Sequence, residues 1–168
     1  MSFVTKGQTV KVAVLGCGER RLALNHQEIF EHVLDKSVEL TTFDITTEHL
    51  ADVPNVVEYD VTKSIPGGSY DIIYAHVLLK FIETEKQWDV IMNSYDCLNS
   101  SGVALHFFDE EELIAETERL GKWGWSVPLG RWKEKLSERG IDYRTLDIAI
   151  RGPMGRPLGV VVLALLKP

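Results

Sequence analysis

The sequence predicts an α/β fold with a doubly wound, mostly parallel sheet that finishes in a C-terminal antiparallel hairpin. Three patterns carry this reading. Short apolar runs bounded by Gly, Asp or Pro recur at Val10 to Leu15, Val38 to Phe43, Val56 to Tyr59, Tyr70 to Ala75 and Val103 to Phe108. Segments with helical spacing lie between several of them, and parallel neighbours need such crossovers. After the last of these runs, two further strand-like stretches flank a short Gly/Pro connection, which is the grammar of a hairpin.

The elements follow in order. KVAVLG is apolar at nearly every position, as a central strand buried on both faces should be. Leu22, Ile29, Phe30, Val33 and Leu34 fall largely on one helical face, as do Trp88, Ile91, Met92, Tyr95 and Leu98. Asp109 is placed to cap a helix over EEELIAETERL, Glu110 to Leu120, with acids in its first turn and Arg119 in its last, matching the helix dipole at both ends. Gly121 stops that helix, and a second one, RWKEKLSERG, ends at Gly140. In IDYRTLDIAI, Leu146, Ile148 and Ile150 alternate with Asp147 and Ala149, a strand with one wetter face. RGPMGRP turns the chain, and GVVVLALL closes it as a buried strand.

Composition sets the outer bounds. A chain of 168 residues, 45% hydrophobic and 26% charged, is the size and balance of one domain, residues 1–168, with material for a core. The formal charge of -7 argues against coating nucleic acid through bulk charge. Cys17 and Cys97 stand 80 residues apart with no ligand-type spacing, so neither a disulfide scaffold nor a metal site is expected. No signal-like run opens the sequence, and the longest apolar stretch, Leu158 to Leu166, is too short to span a bilayer. The expectation is a cytoplasmic protein with no membrane attachment.

Two sites can be read from the residues alone. In VAVLGCGER a buried strand meets a turn holding Gly16, Cys17 and Gly18, then a helix start. Missing β-carbons let a ligand approach the main chain, and the helix start offers unpaired N–H groups; a tight turn of any α/β protein has the same composition. Asp44 ends the second strand, where a carboxylate can accept both hydroxyls of a ribose, or can serve as the turn residue before TTEHL.

From Glu58 to Ile82 the order of features becomes more specific. Asp60 ends a strand, Ile65-Pro66-Gly67-Gly68-Ser69 forms a loop, and Tyr70-Asp71 opens the next strand. With AHVLLKFI, CLNSSGVALHFF and the terminal hairpin, this resembles the class I S-adenosylmethionine-dependent methyltransferases from Val10 to Pro168. The resemblance implies a seven-stranded Rossmann-like sheet in the order 3-2-1-4-5-7-6 and transfer of a methyl group from S-adenosyl-L-methionine to an O, N, S or C acceptor. It implies that the Gly16-Cys17-Gly18 loop holds the methionine part, Asp44 the ribose, and Asp60 with Val61 the adenine edge. Ala75 and His76 would border the reacting centre, with His76 as a candidate base or, equally, a helix cap. His26 and His106 read as structural.

The sequence departs from that family's pattern at two places. Val14 stands where an acid is usual at the end of the first strand, and Arg20 where a third Gly is usual; Glu19 is the neighbouring carboxylate that could compensate. Tyr74-Ala75-His76-Val77 replaces the Asn/Asp-Pro-Pro-aromatic signature of members that methylate exocyclic amino groups. These departures motivate a second reading, a methyltransferase-like scaffold or partner subunit without catalysis. A third comes from charge: residues 119–168 carry net +6 and residues 1–118 net -13. The basic end interleaves Trp123, Trp125 and Trp132 with cations, with Lys122, Arg131 and Lys133 among them. This suits RNA, a lid over an anionic planar substrate, or a solvated helix with its tryptophans in the core. A protein partner or homo-oligomer is also expected, to complete a site left open by the short N-terminal segment.

Overall fold

A computed structural model describes residues 9–113, 119–151 and 157–168. Strand β1 (Val10–Leu15) is followed by helix α1 (Arg20–Leu34), β2 (Val38–Asp44), a short 3-10 turn (Glu48–Leu50) and β3 (Val56–Glu58). Then come β4 (Tyr70–His76), a second 3-10 turn (Leu79–Phe81), α2 (Thr84–Asp96) and β5 (Leu98–Asp109). A one-turn helix α3 (Glu110–Leu113), a two-strand ribbon β6 (Arg119–Leu120) and β7 (Gly124–Trp125), and helix α4 (Leu129–Glu138) lead to the long pair β8 (Asp142–Arg151) and β9 (Pro157–Leu166).

Seven strands form one sheet in the order β3-β2-β1-β4-β5-β9-β8. The first five are parallel, and β9 enters antiparallel to β5 with β8 at the edge. In terms of the seven main strands this is the expected 3-2-1-4-5-7-6 order. The reversal between β1, which continues to β2, and β4 on its other side opens a crevice at the carboxyl ends of the strands.

Side-chain alternation divides the core. Ala13, Leu15, Ile73, Ala75, Ala104, Phe108, Leu163 and Leu165 face α2 and α4, where Val90, Ile91, Trp132 and Leu136 meet them. Val12, Val14, Val38 and Leu40 face α1 through Phe30 and Leu34. His106 lies on the α2/α4 side, 1% exposed, with Nε2 2.9 Å from Ser94 Oγ and Nδ1 without a partner among the described residues. His26 is also buried, between Phe30 and Tyr74.

Several elements differ from the sequence expectation. Of the helix expected over Glu110 to Leu120, α3 supplies one turn; Ile114 to Glu118 lie outside the described residues, and Arg119 belongs to β6. Gly121, at φ 63°, turns the β6–β7 ribbon, so it stops a strand rather than that helix. Leu98 opens β5 instead of closing α2, because Tyr70 pairs with it across the sheet. On α1 the inward stripe is Ala23, His26, Phe30 and Leu34, whereas Leu22, Ile29 and Val33 are exposed. Periodicity gave the helix but not its rotation, since two apolar stripes compete and the sheet accepts one. Leu146 and Ile148 on the edge strand are likewise exposed, at 52% and 39%, so β8 has no buried face over Arg144 to Ala149. No described helix is long and apolar enough to cross a membrane.

His106 makes a pH prediction. Complete burial pushes its pKa down from 6.5 to about 4, so the folded protein holds it neutral while the unfolded chain protonates it below about pH 6.5. Its contribution to stability is full above pH 6.5 and is lost as the pH falls towards 4. Between pH 7.5 and 5.0 wild type should lose roughly 2 kcal/mol through this group, on 1.36 kcal/mol per unit. Urea unfolding at both pH values, compared with His106→Gln, checks this: the variant should lose less on acidification than wild type, and equal losses would refute it.

Candidate active site

The crevice is a cavity of about 830 Å³ at the carboxyl ends of β1, β2, β3 and β4. Its floor begins where β1 runs out. Gly16 has φ +71°, and a β-carbon there would sit 2.7 Å from Leu78 Cδ1, so the turn requires glycine both by conformation and by space. Gly18 has open space around its α-carbon and negative φ, so the second glycine meets no such demand.

Asp44 ties the turn down. Its Oδ2 accepts the Cys17 N–H at 2.7 Å, its Oδ1 accepts the Thr46 N–H at 3.1 Å, and Gly16 N–H donates to Phe43 O at 2.7 Å. Asp44, the expected ribose acceptor or turn residue, makes the turn bonds, and it also lines the cavity. His49 holds the same loop from the other side, with Nε2 2.9 Å from Cys17 O. Burial raises the Cys17 thiol above its ordinary 9.0, and its Sγ–H donates to Glu19 O at 3.4 Å.

Asp60, just beyond β3, accepts the Thr62 hydroxyl at 2.7 Å and the Thr62 N–H at 3.0 Å. The hydroxyl bond is the main reason its carboxyl stays below the usual 3.8. Val61 beside it is buried, and its carbonyl accepts from Asn93 Nδ2 at 3.2 Å.

The opposite wall comes from the end of β4. Val77 has φ 55°, an outlier for a β-branched residue and a store of roughly 1–3 kcal/mol of strain. That kink carries Leu78 onto Gly16 while Val77 N–H stays bonded to Phe107 O at 2.9 Å. His76 lines the cavity mouth, exposed, with its ring stacked on Tyr74 at 6.4 Å and tilted against Phe107 at 6.0 Å.

Of the residues singled out from sequence, Gly16, Cys17, Gly18, Asp44, Asp60, Val61 and His76 line this cavity. Glu19 and Ala75 do not. Glu19 sits at the N-cap of α1, exposed, and makes no side-chain cap bond; Ala75 points into the α2/α4 core at 1% exposure. Arg20 does not enter the cavity either. Its guanidinium makes a two-pronged pair with Asp52 on the outside of the fold. The wall residues that sequence reasoning missed include Thr46, His49, Tyr59, Leu78, Phe81 and Lys86. None of them carries a sequence pattern that sets it apart from its neighbours.

The tryptophans of the basic end differ in burial. Trp132 is 1% exposed and stacks with Trp88 at 5.9 Å. Lys135 and Arg139 lie over Trp88 at 5.0 and 5.6 Å, Arg131 over Trp132 at 5.0 Å, and Arg119 over Trp125 at 4.2 Å. Trp132 is a core ring and Trp88 packs against the core, with Lys135, Arg139 and Arg131 over their faces. Trp123 alone of the four tryptophans is left largely exposed.

The sheet order, the terminal antiparallel pair and the cavity at the strand ends define the class I S-adenosylmethionine-dependent methyltransferase fold. Solved structures agree at low identity. The chain is similar to the glycopeptide N-methyltransferase MtfA, with TM-score 0.69 and 14% identity over 98% of this chain and 86% of that one. It is also similar to an S-adenosylmethionine-dependent methyltransferase from Clostridium acetobutylicum, at 0.67 and 11% over 94% and 83%. Magnesium protoporphyrin IX methyltransferase from Synechocystis, solved with bound S-adenosylmethionine, gives 0.62 and 16% over 95% and 71%. No protein-family model and no curated protein sequence matches the chain.

Gly16→Ala should destabilise the protein by about 1–2 kcal/mol through the left-handed backbone alone, whereas Val77→Gly should cost less, because glycine takes φ 55° without the strain that offsets its lost side chain. Thermal melts of the two variants decide this; equal shifts would show that the strained pair does not set the floor of the cavity.

Proposed function

We propose that the protein is an S-adenosylmethionine-dependent methyltransferase with its cofactor in the 830 Å³ cavity. The observation that carries this is the joint wall of the Gly16-Cys17 turn, Asp44 and Asp60 around one space whose size suits a small-molecule cofactor. The residues fit the group. Gly16 leaves room for close main-chain approach, Asp44 and Asp60 offer carboxylate oxygens for hydroxyl and amino donors, and Phe43, Val61, Leu78 and Ile82 give an apolar surface for a flat base. When bound, the cofactor supplies a methyl group on a sulfonium centre, which leaves as a neutral thioether after transfer.

The chain's own contribution is placement. Aligning the attacking atom with the methyl carbon supplies much of the catalysis, and a base is needed only where the acceptor keeps its proton. His76 is the group proposed for that proton, because His49, the other imidazole in the wall, is committed to Cys17 O. Cys17 stays a protonated thiol, which keeps a soft nucleophile from competing for the methyl group.

Isothermal titration with S-adenosylhomocysteine tests the reading. The expected result is saturable binding with a Kd in the micromolar range, weakened by Asp60→Ala and unchanged by Arg20→Ala, whose side chain faces away. Absence of heat at roughly 1 mM ligand would reject it.

A further inference from the structure

A second, smaller cavity of about 410 Å³ adjoins the first and shares Phe81 with it. Its other walls are Lys80, Leu120, Gly121, Trp123 and Gly124, that is, the 3-10 turn after β4 and the β6–β7 ribbon. Phe81 is 61% exposed and Trp123 75% exposed, so neither ring is used by the core. The rings line one space, yet among the described ring contacts none joins Phe81 to Trp123. A lysine ammonium lies against each, Lys80 at 5.5 Å from Phe81 and Lys122 at 4.7 Å from Trp123. Lys80 is also paired with Asp109 at 3.4 Å.

The frame beneath this space is fixed. Gln87 is fully buried; its Nε2 donates to Leu79 O, Ile82 O and Ser126 O at 3.0–3.1 Å, and its Oε1 accepts from Trp132 Nε1 at 3.2 Å. The Thr84 hydroxyl donates to Ser126 O at 3.3 Å. One side chain thus locks the Phe81 turn, the segment after β7 and α4 together. Gly124 completes the fit, because a β-carbon there would strike Leu120 at 2.9 Å and lie 3.7 Å from Lys80 O. Two exposed rings line one cavity, which meets the larger one at Phe81, and each offers a π face to a ligand.

We propose that this second cavity is the acceptor lobe and takes a flat aromatic molecule, packed between Phe81 and Trp123. The inference rests on the methyl-transfer reading for the acceptor role, but the aromatic preference follows from the rings themselves. A planar ring gains stacking on both sides, whereas a puckered, saturated ring of similar volume gains only burial.

The test is equilibrium dialysis of the full chain with 2-naphthol and with its saturated analogue decahydro-2-naphthol, with S-adenosylhomocysteine binding measured on the same samples. Wild type should bind 2-naphthol roughly ten-fold tighter than the saturated alcohol. Trp123→Ala should remove that preference and Trp123→Phe should keep it, with melting temperature and S-adenosylhomocysteine affinity unchanged in both. Equal affinity for the two probes, or a preference that survives Trp123→Ala, overturns the aromatic assignment and leaves methyl transfer standing if S-adenosylhomocysteine still binds. A preference without S-adenosylhomocysteine binding overturns the acceptor role together with the methyl-transfer reading.

Discussion

The site depends on how the end of β1 is held against the end of β2. Parallel strands that stop side by side leave main-chain groups without ladder partners, and here those groups are satisfied by one carboxylate. Asp44 accepts from Cys17 on one oxygen and from Thr46 on the other, so the glycine turn and the loop after β2 share a single anchor. The arrangement keeps the N–H of buried Cys17 from being orphaned, a loss of roughly 1–3 kcal/mol for a buried unpaired group, while the Thr46 N–H is on the exposed side. It also leaves the outer lone pairs of the carboxylate at the cavity wall, so the residue that builds the crevice is available to bind within it.

The β4 side is held by a different device. Val77 accepts a strained backbone so that Leu78 can press on Gly16, and the 3-10 turn that follows is clamped by the buried amide of Gln87. All four of these Gln87 side-chain bonds run to other segments, which ties the Phe81 turn, the segment after β7 and α4 to α2. One wall of the larger cavity and the smaller cavity beside it therefore share the Phe81 turn. Strain at Val77 persists because the packing around it over-determines the chain path.

The sequence carried the order of strands and helices because burial on two faces writes continuous apolar runs, and VAVL and IIYA are such runs. It carried Gly16, Asp44 and Asp60 because special backbone conformations and strand-end carboxylates favour few residue types. What it did not carry was orientation. Leu22, Ile29 and Val33 mark a stripe as apolar as the one α1 buries, and no local pattern says which meets the sheet. Val77 gave no signal, since a β-branched residue at positive φ contradicts its own propensity. Glu19 and Ala75 neighbour true wall residues by one position, and a one-residue step along a strand or into a helix cap turns the side chain elsewhere. Arg119 and Leu120 form a strand of the ribbon where a helix end is expected, because Arg119 suits a helix terminus as well as an aromatic face.

The two departures from the methyltransferase pattern, Val14 and Arg20, leave the cavity intact. Val14 is 1% exposed and packs with Val12, Val38 and Leu40 under α1, so an acid at that position would be a charge in an apolar layer. The carboxylates that face the cavity come instead from Asp44 and Asp60, at the ends of β2 and β3. Arg20 begins α1 on the outer side of the turn, where Asp52 receives both prongs of its guanidinium. A third glycine matters where the helix must pack tightly on the strand at that residue. Here close approach is made one face over, by Ala23 beside Leu50 and Val53, so a long cation at position 20 costs the crevice nothing.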